Sequence, residues 1–106
     1  MINQVVIVGR LVNNPTTFRE DEFTKEYTKI TVAVPRSYKN MDGEYETDFV
    51  DVSLYNTIAT NTIEHCKKGD VIGVKGRLQQ KNNRTIEVVA EKITFLSSGN
   101  REDRSE

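Results

Sequence analysis

From Asp48 to Tyr55 the chain alternates strictly, with Val50, Val52 and Leu54 on one parity and Phe49, Asp51, Ser53 and Tyr55 on the other. A period of two marks a strand with one face against a core, so two aromatic rings fall on the outward face. Tyr27 to Val34 repeats the pattern, with Thr28, Ile30, Val32 and Val34 on one face and Tyr27, Lys29, Thr31 and Ala33 on the other. Pro35 has no amide to give to a ladder and is expected to end that strand. Past Gly69, the same rule sends Ile72, Val74 and Leu78 inward and Lys75 and Arg77 outward. Gln4 to Val12 is apolar on both faces: Val5, Ile7 and Leu11 on one, Val6, Val8 and Val12 on the other. Its second face needs a cover, either a second copy of the chain or the helix and loops of the same one. In the last apolar segment Ile86, Val88 and Ala90 share a face, while Ile93 and Phe95 fall out of phase. A bulge near Glu91 would return both groups to the core.

One segment changes period. Ala59, Ile63 and Cys66, at i, i+4 and i+7, predict a short helix packed on one side. Asn56 or Thr57 is expected to cap its first amides, Lys67 and Lys68 to occupy its last turn, and Gly69 to close it in the left-handed conformation. Cys66 reads as a small core residue and His65 as a surface one. Between the elements, Asn13-Asn14-Pro15 breaks the first strand, and Thr16 to Glu26 reads as a polar connection pinned by Phe18 and Phe23. Met41-Asp42-Gly43 and Lys81-Asn82-Asn83-Arg84 read as turns. Ser97 to Glu106 has no apolar residue and is expected to be disordered. The expected organisation is therefore one domain over 1–96 and a short polar tail over 97–106.

Strand, short helix and Gly-punctuated strand, set among five strand candidates, is the middle of an all-β oligonucleotide-binding (OB-fold) barrel, five-stranded with one short helix. Outward Phe49 and Tyr55 near Lys75 and Arg77 suit single-stranded nucleic acid, because every base offers a π-face and every phosphate needs charge. Arg36-Ser37-Tyr38-Lys39 adds a cation, ring, cation run at the start of a loop. Four stretches, INQVVIVGRLVNNP, DFVDVSLYN, KKGDVIGVKGRL and IEVVAEKITFL, occur in an order and spacing that resemble the bacterial and phage-type single-stranded DNA-binding protein family, from residue 1 to about 96.

That resemblance implies sequence-tolerant single-stranded DNA binding in replication, recombination or repair. Tyr38, Phe49 and Tyr55 would stack bases, and Arg36, Lys39, Lys75, Arg77, Lys81 and Arg84 would meet phosphates. It also implies a homo-oligomer, a tetramer or at least a dimer, with Val6 and Val8 at the interface. Two departures stand out. The chain has no tryptophan, and its end, Asp103-Arg104-Ser105-Glu106, carries no hydrophobic anchor, so tail-mediated recruitment of partner proteins is not expected. A primosome-type accessory protein on the same barrel, acting mainly through protein contacts, is the first alternative. A barrel whose outward aromatics meet protein is the second.

Charge sharpens the picture by its distribution. The net charge is −1, but Lys67 to Lys92 holds seven basic residues against three acidic, and Arg36 to Asp51 two against five. A basic groove on a nearly neutral protein is thus available. One cysteine excludes an intramolecular disulfide and, with one histidine, a conventional structural zinc site. Asp42, Glu44, Glu46, Asp48 and Asp51 have the oxygen ligands a hard cation takes, but alternation splits them between two faces and sets no nucleophile beside them. Neither catalysis nor a cofactor is expected. The sequence has no apolar run of membrane-spanning length and no charged-then-apolar leader, so a cytoplasmic, nucleoid-associated location is expected.

Overall fold

The computed structural model describes residues 1–19, 26–81 and 84–99. They form β1 (Val5–Leu11), β2 (Thr16–Phe18), β3 (Tyr27–Lys39), β4 (Tyr45–Leu54), α1 (Asn56–His65), β5 (Val71–Gln80) and β6 (Ile86–Ser97). β1 pairs antiparallel with both β3 and β5, β5 with β6, and β3 with β4. A short parallel pairing, Val52 with Val88 and Ser53 with Val89, joins β4 to β6 and closes the five-stranded barrel. This is the expected OB-fold. β2 adds a short rung outside β3, inside the segment read as a polar connection.

The alternation puts Leu11, Ile30, Val32, Val52, Leu54, Ile72 and Val74 in the barrel with essentially no exposure, and Val88 and Ala90 beside them. Lys75 pairs with Lys92 and Gly76 with Ala90, which leaves Glu91 as the extra residue, the bulge the phase change required. Ile93 accordingly packs against the core, whereas Phe95 stays about half exposed. At Gly76 the strands cross so closely that a β-carbon would run into the Val89 carbonyl.

Several expectations fail where strands outrun the barrel. Leu78 has core parity but is 47% exposed, and Ile86 is likewise exposed, because both sit on a β5–β6 hairpin that projects past the closed part. Pro35 does not end β3. The strand continues to Lys39 with a register irregularity between the two residues, which absorbs the missing amide. Helix α1 also sits differently. Tyr55 occupies the cap position with extended backbone and no side-chain cap bond, while Asn56 takes a left-handed φ of 57°. Its buried face is Ala59, Thr62 and Cys66, at i, i+3 and i+7, and Ile63 is turned to solvent.

The helix ends at His65, so Lys67 and Lys68 lie beyond it, in the turn that Gly69 completes with a left-handed φ of 96°. Buried Asp70 organises that turn. Its Oδ2 accepts from the Lys67 amide at 3.0 Å and its Oδ1 from the Gly99 amide at 3.0 Å, tying the helix exit to the end of β6. Ser97, expected in the tail, is the last residue of β6. Phe23, the Asn82-Asn83 part of the turn and the tail from 100 to 106 lie outside the described residues.

Candidate nucleic-acid interface

With Val50, Val52 and Leu54 turned inward on β4, Phe49 must point out, and it is 67% exposed. The β3–β4 register sets Ala33 opposite Phe49, Thr31 opposite Asp51 and Lys29 opposite Ser53, so both outward sets form one strip. Beside Phe49, β4 and the projecting β5–β6 hairpin enclose a groove of about 330 Å³. Phe49, Asp51 and Ser53 line one side, and Leu78, Lys81, Ile86 and Glu87 the other, with Lys29 at its edge. The two apolar residues that left the core thus become groove walls.

At the helix end, the strip carries a row of rings. Tyr55 lies 6.0 Å from Tyr27, centroid to centroid, and Tyr27 stacks on Phe18 at 5.8 Å. Tyr55 is half-buried, not free-standing like Phe49. At the opposite end, Tyr45 shares the parity of Thr47 and Phe49 and lies opposite Lys39, whose Nζ is 5.8 Å from the Tyr45 ring. Tyr38 is exposed nearby, within the irregular stretch of β3.

Most of the expected cations carry a carboxylate partner. Lys75 and Arg77 share Glu91, the bulge residue, at 3.5 and 3.6 Å. Lys81 reaches Glu87 at 4.0 Å, and Glu87 also accepts a hydrogen bond from Ser53 Oγ at 2.6 Å. Lys29 reaches Asp51 at 3.5 Å, and Asp51 accepts from Thr31 Oγ1 at 2.7 Å. The Lys29, Lys75 and Arg77 pairs are about half exposed and contribute little, so a phosphate can take the carboxylate's place there, whereas Glu87 is 12% exposed and held by Ser53. Arg84 is exposed at the β5–β6 turn.

Arg36 is different. Its Nε and Nη2 donate to both Asp48 oxygens at 3.0 and 2.9 Å, and its Nη1 donates to Glu46 at 2.9 Å. Asp48 and Glu46 alternate with Phe49 and Thr47, so this cluster lies on the face away from the strip. The Arg36 hydrogen bond holds the Asp48 carboxyl below its ordinary 3.8 and raises Arg36 in turn. Arg36, expected at a phosphate, is held here in a staple of the β3–β4 hairpin. The tip is organised by Asn40, whose Oδ1 accepts from the Asp42 and Glu44 amides at 2.9 and 3.0 Å.

Sequence reasoning singled out neither Tyr45, Lys29 nor Tyr27. Each has the parity of a residue already placed outward, but only the register between strands brings it beside Phe49 or Tyr55.

A second surface lies on β1. Val6 and Val8 are 67% and 52% exposed, and neither α1 nor any described loop covers them. Val8 borders the shallow floor at Gly73 with Thr94 and Leu96, and Val6 sits opposite Lys75. Cys66 is buried, as expected, and burial pushes its thiol up. His65 is exposed and bonded through Nδ1 to the Asn61 carbonyl at 2.9 Å. Among the described residues there is no His, Cys, Asp and Glu group placed to hold a metal, and no helix long and apolar enough to cross a membrane.

An OB barrel with an exposed ring on a groove wall and exchangeable cations around it defines the class, an oligonucleotide-binding barrel protein. The single-strand binding protein family model matches residues 2–96, and the chain belongs to that family. It is similar to Single-stranded DNA-binding protein B of Bacillus subtilis, 37% identical over 110 residues that cover 96% of each chain. It is 31% identical over 105 residues to Single-stranded DNA-binding protein 1 of Clostridium acetobutylicum, covering 92% of this chain and 96% of that one. Single-stranded DNA-binding protein 1 of Staphylococcus aureus is 33% identical over 114 residues, covering all of this chain and 72% of that protein. The family consists of binding proteins without catalysis, in keeping with the expectation of no enzyme.

Proposed function

We propose that this chain binds single-stranded DNA with little sequence preference and keeps it covered during replication, recombination or repair. The observation that carries this reading is Phe49, two-thirds exposed on the wall of a groove edged by Lys29 and Lys81. A base stacks on the Phe49 ring, sheltered by Leu78 and Ile86, while the phosphates of its strand displace Asp51 from Lys29 and meet Lys81, which lies 4.0 Å from Glu87. Stacking on an aromatic side chain is worth roughly 1–3 kcal/mol per base and accepts any base. Lys75, Arg77 and Arg84 extend the cationic border along β5 and the β5–β6 turn, and Tyr38, Lys39 and Tyr45 extend the strip past the hairpin end. The barrel through Ser97 carries the binding, and the protein would meet its ligand in the nucleoid.

The Val6, Val8 and Leu96 patch supports association of two copies through β1, and a dimer of dimers would let one strand cross several grooves. Salt titration tests the binding. Oligo-dT affinity falls as salt rises, because each phosphate contact releases counterions. A flat salt response would remove the electrostatic part of this reading, and no binding of oligo-dT would favour the alternative in which the exposed rings meet protein.

A further inference from the structure

We propose that Phe18, Tyr27 and Tyr55 form a second base-stacking platform, so that one DNA strand running along β4 engages Phe49 midway along the strip and this row at its helix end. The inference rests on the single-stranded DNA reading above and adds two residues to it. Along β4, Phe49 and Tyr55 are six residues apart, a span of about 20 Å at strand rise, so one nucleotide cannot occupy both sites. Between them the outward face carries Lys29 and Thr31, whose partner Asp51 a backbone phosphate can replace. Phe18 is 42% exposed, and Tyr27 and Tyr55 are half-buried. Tyr27 also lines a cleft between β2–β3 and α1, with Thr17, Thr28, Ala59 and Thr60, which neither Phe18 nor Tyr55 lines. Packing the connection against the barrel would need only Phe18 on Tyr27. Tyr55, reached across a further 6.0 Å, makes the row long enough for bases to stack along it.

The absence of tryptophan gives a direct readout, since the four tyrosines are the fluorophores of the chain. In a Y38F/Y45F/Y55F variant every ring is kept and Tyr27 is the sole emitter. Binding is followed in parallel with a labelled oligo-dT. Quenching of the Tyr27 emission as the oligonucleotide binds is expected, and binding without any change in that emission would overturn the inference while leaving the proposed function intact. Should the triple variant bind no DNA, Tyr27→Leu, which keeps apolar bulk but removes the ring, decides. It is expected to weaken binding of long oligonucleotides about tenfold, with little effect on ones too short to leave Phe49. Equal affinity to the unmodified protein at every length overturns the inference. Failure of the unmodified protein to bind oligo-dT would instead remove the proposed function itself.

Discussion

Phe49 stands between Asp48, tied to the far face of the hairpin, and Val50, packed against the core, so its ring is held outward by neighbours and makes little contact of its own. Replacing it with alanine is expected to weaken oligo-dT binding by about 1–3 kcal/mol while the melting temperature stays near its original value. Loss of folding in Phe49→Ala would show the ring to be a core residue. Glu91 acts in the opposite direction. Glu91 is the shared partner of Lys75 and Arg77, so if these two cations meet phosphates as proposed, Glu91→Gln is expected to tighten binding at low salt. The control is Glu44→Gln on the hairpin turn, where the same charge is removed away from Lys75 and Arg77. An equal gain in both variants would reduce the Glu91 effect to net charge. Residue roles of this kind were partly legible in the sequence. Alternation alone puts Phe49, Lys75 and Arg77 outward, whereas the carboxylates that share their surface depend on pairing between strands far apart in the chain.

The β3–β4 hairpin depends on Arg36 bridging Asp48 and Glu46 on one face. Asp48 is ionised at a lower pH in the fold than in the unfolded chain, so its contribution is present above the ordinary carboxylate value of 3.8 and is lost as pH falls through its depressed value. Followed by NMR, the Asp48 carboxyl is expected to titrate below 3.8, and Arg36→Ala to bring it back to the ordinary range. No difference between the two proteins would show the staple to be absent in solution. Elements were read well where both faces are settled locally. The bulge at Glu91 follows from the phase slip between Ala90 and Ile93, which no regular strand can absorb. Leu78 was misread because parity says which side a residue takes, whereas whether that side meets core or water depends on how far the strand projects past the barrel. Pro35 was misread because a register irregularity absorbs its missing amide, and Ile63 because Thr62 takes its expected place on the buried helix face.

At the scale of the whole molecule, the outer surface divides into two. The strip on β2, β3 and β4, with the groove beside it, is suited to a nucleic-acid strand, and the β1 patch around Val6 and Val8 to another copy of the chain. Val6 and Lys75 are paired across β1 and β5, so the two surfaces meet there. Val8→Glu is therefore expected to lower the mass of the assembly and to weaken binding of long oligonucleotides more than short ones. A monomeric mass for the unmodified protein at micromolar concentration would contradict the association. The doubly apolar pattern of Gln4 to Val12 made this surface visible in the sequence, although only the barrel shows that no described part of the chain lies over it. The account turns most directly on whether the rings need unpaired bases. In a competition between one labelled single strand and an unlabelled duplex of the same sequence, the duplex is expected to displace the strand poorly even in large excess, and displacement at equal concentration would contradict base stacking as the source of binding.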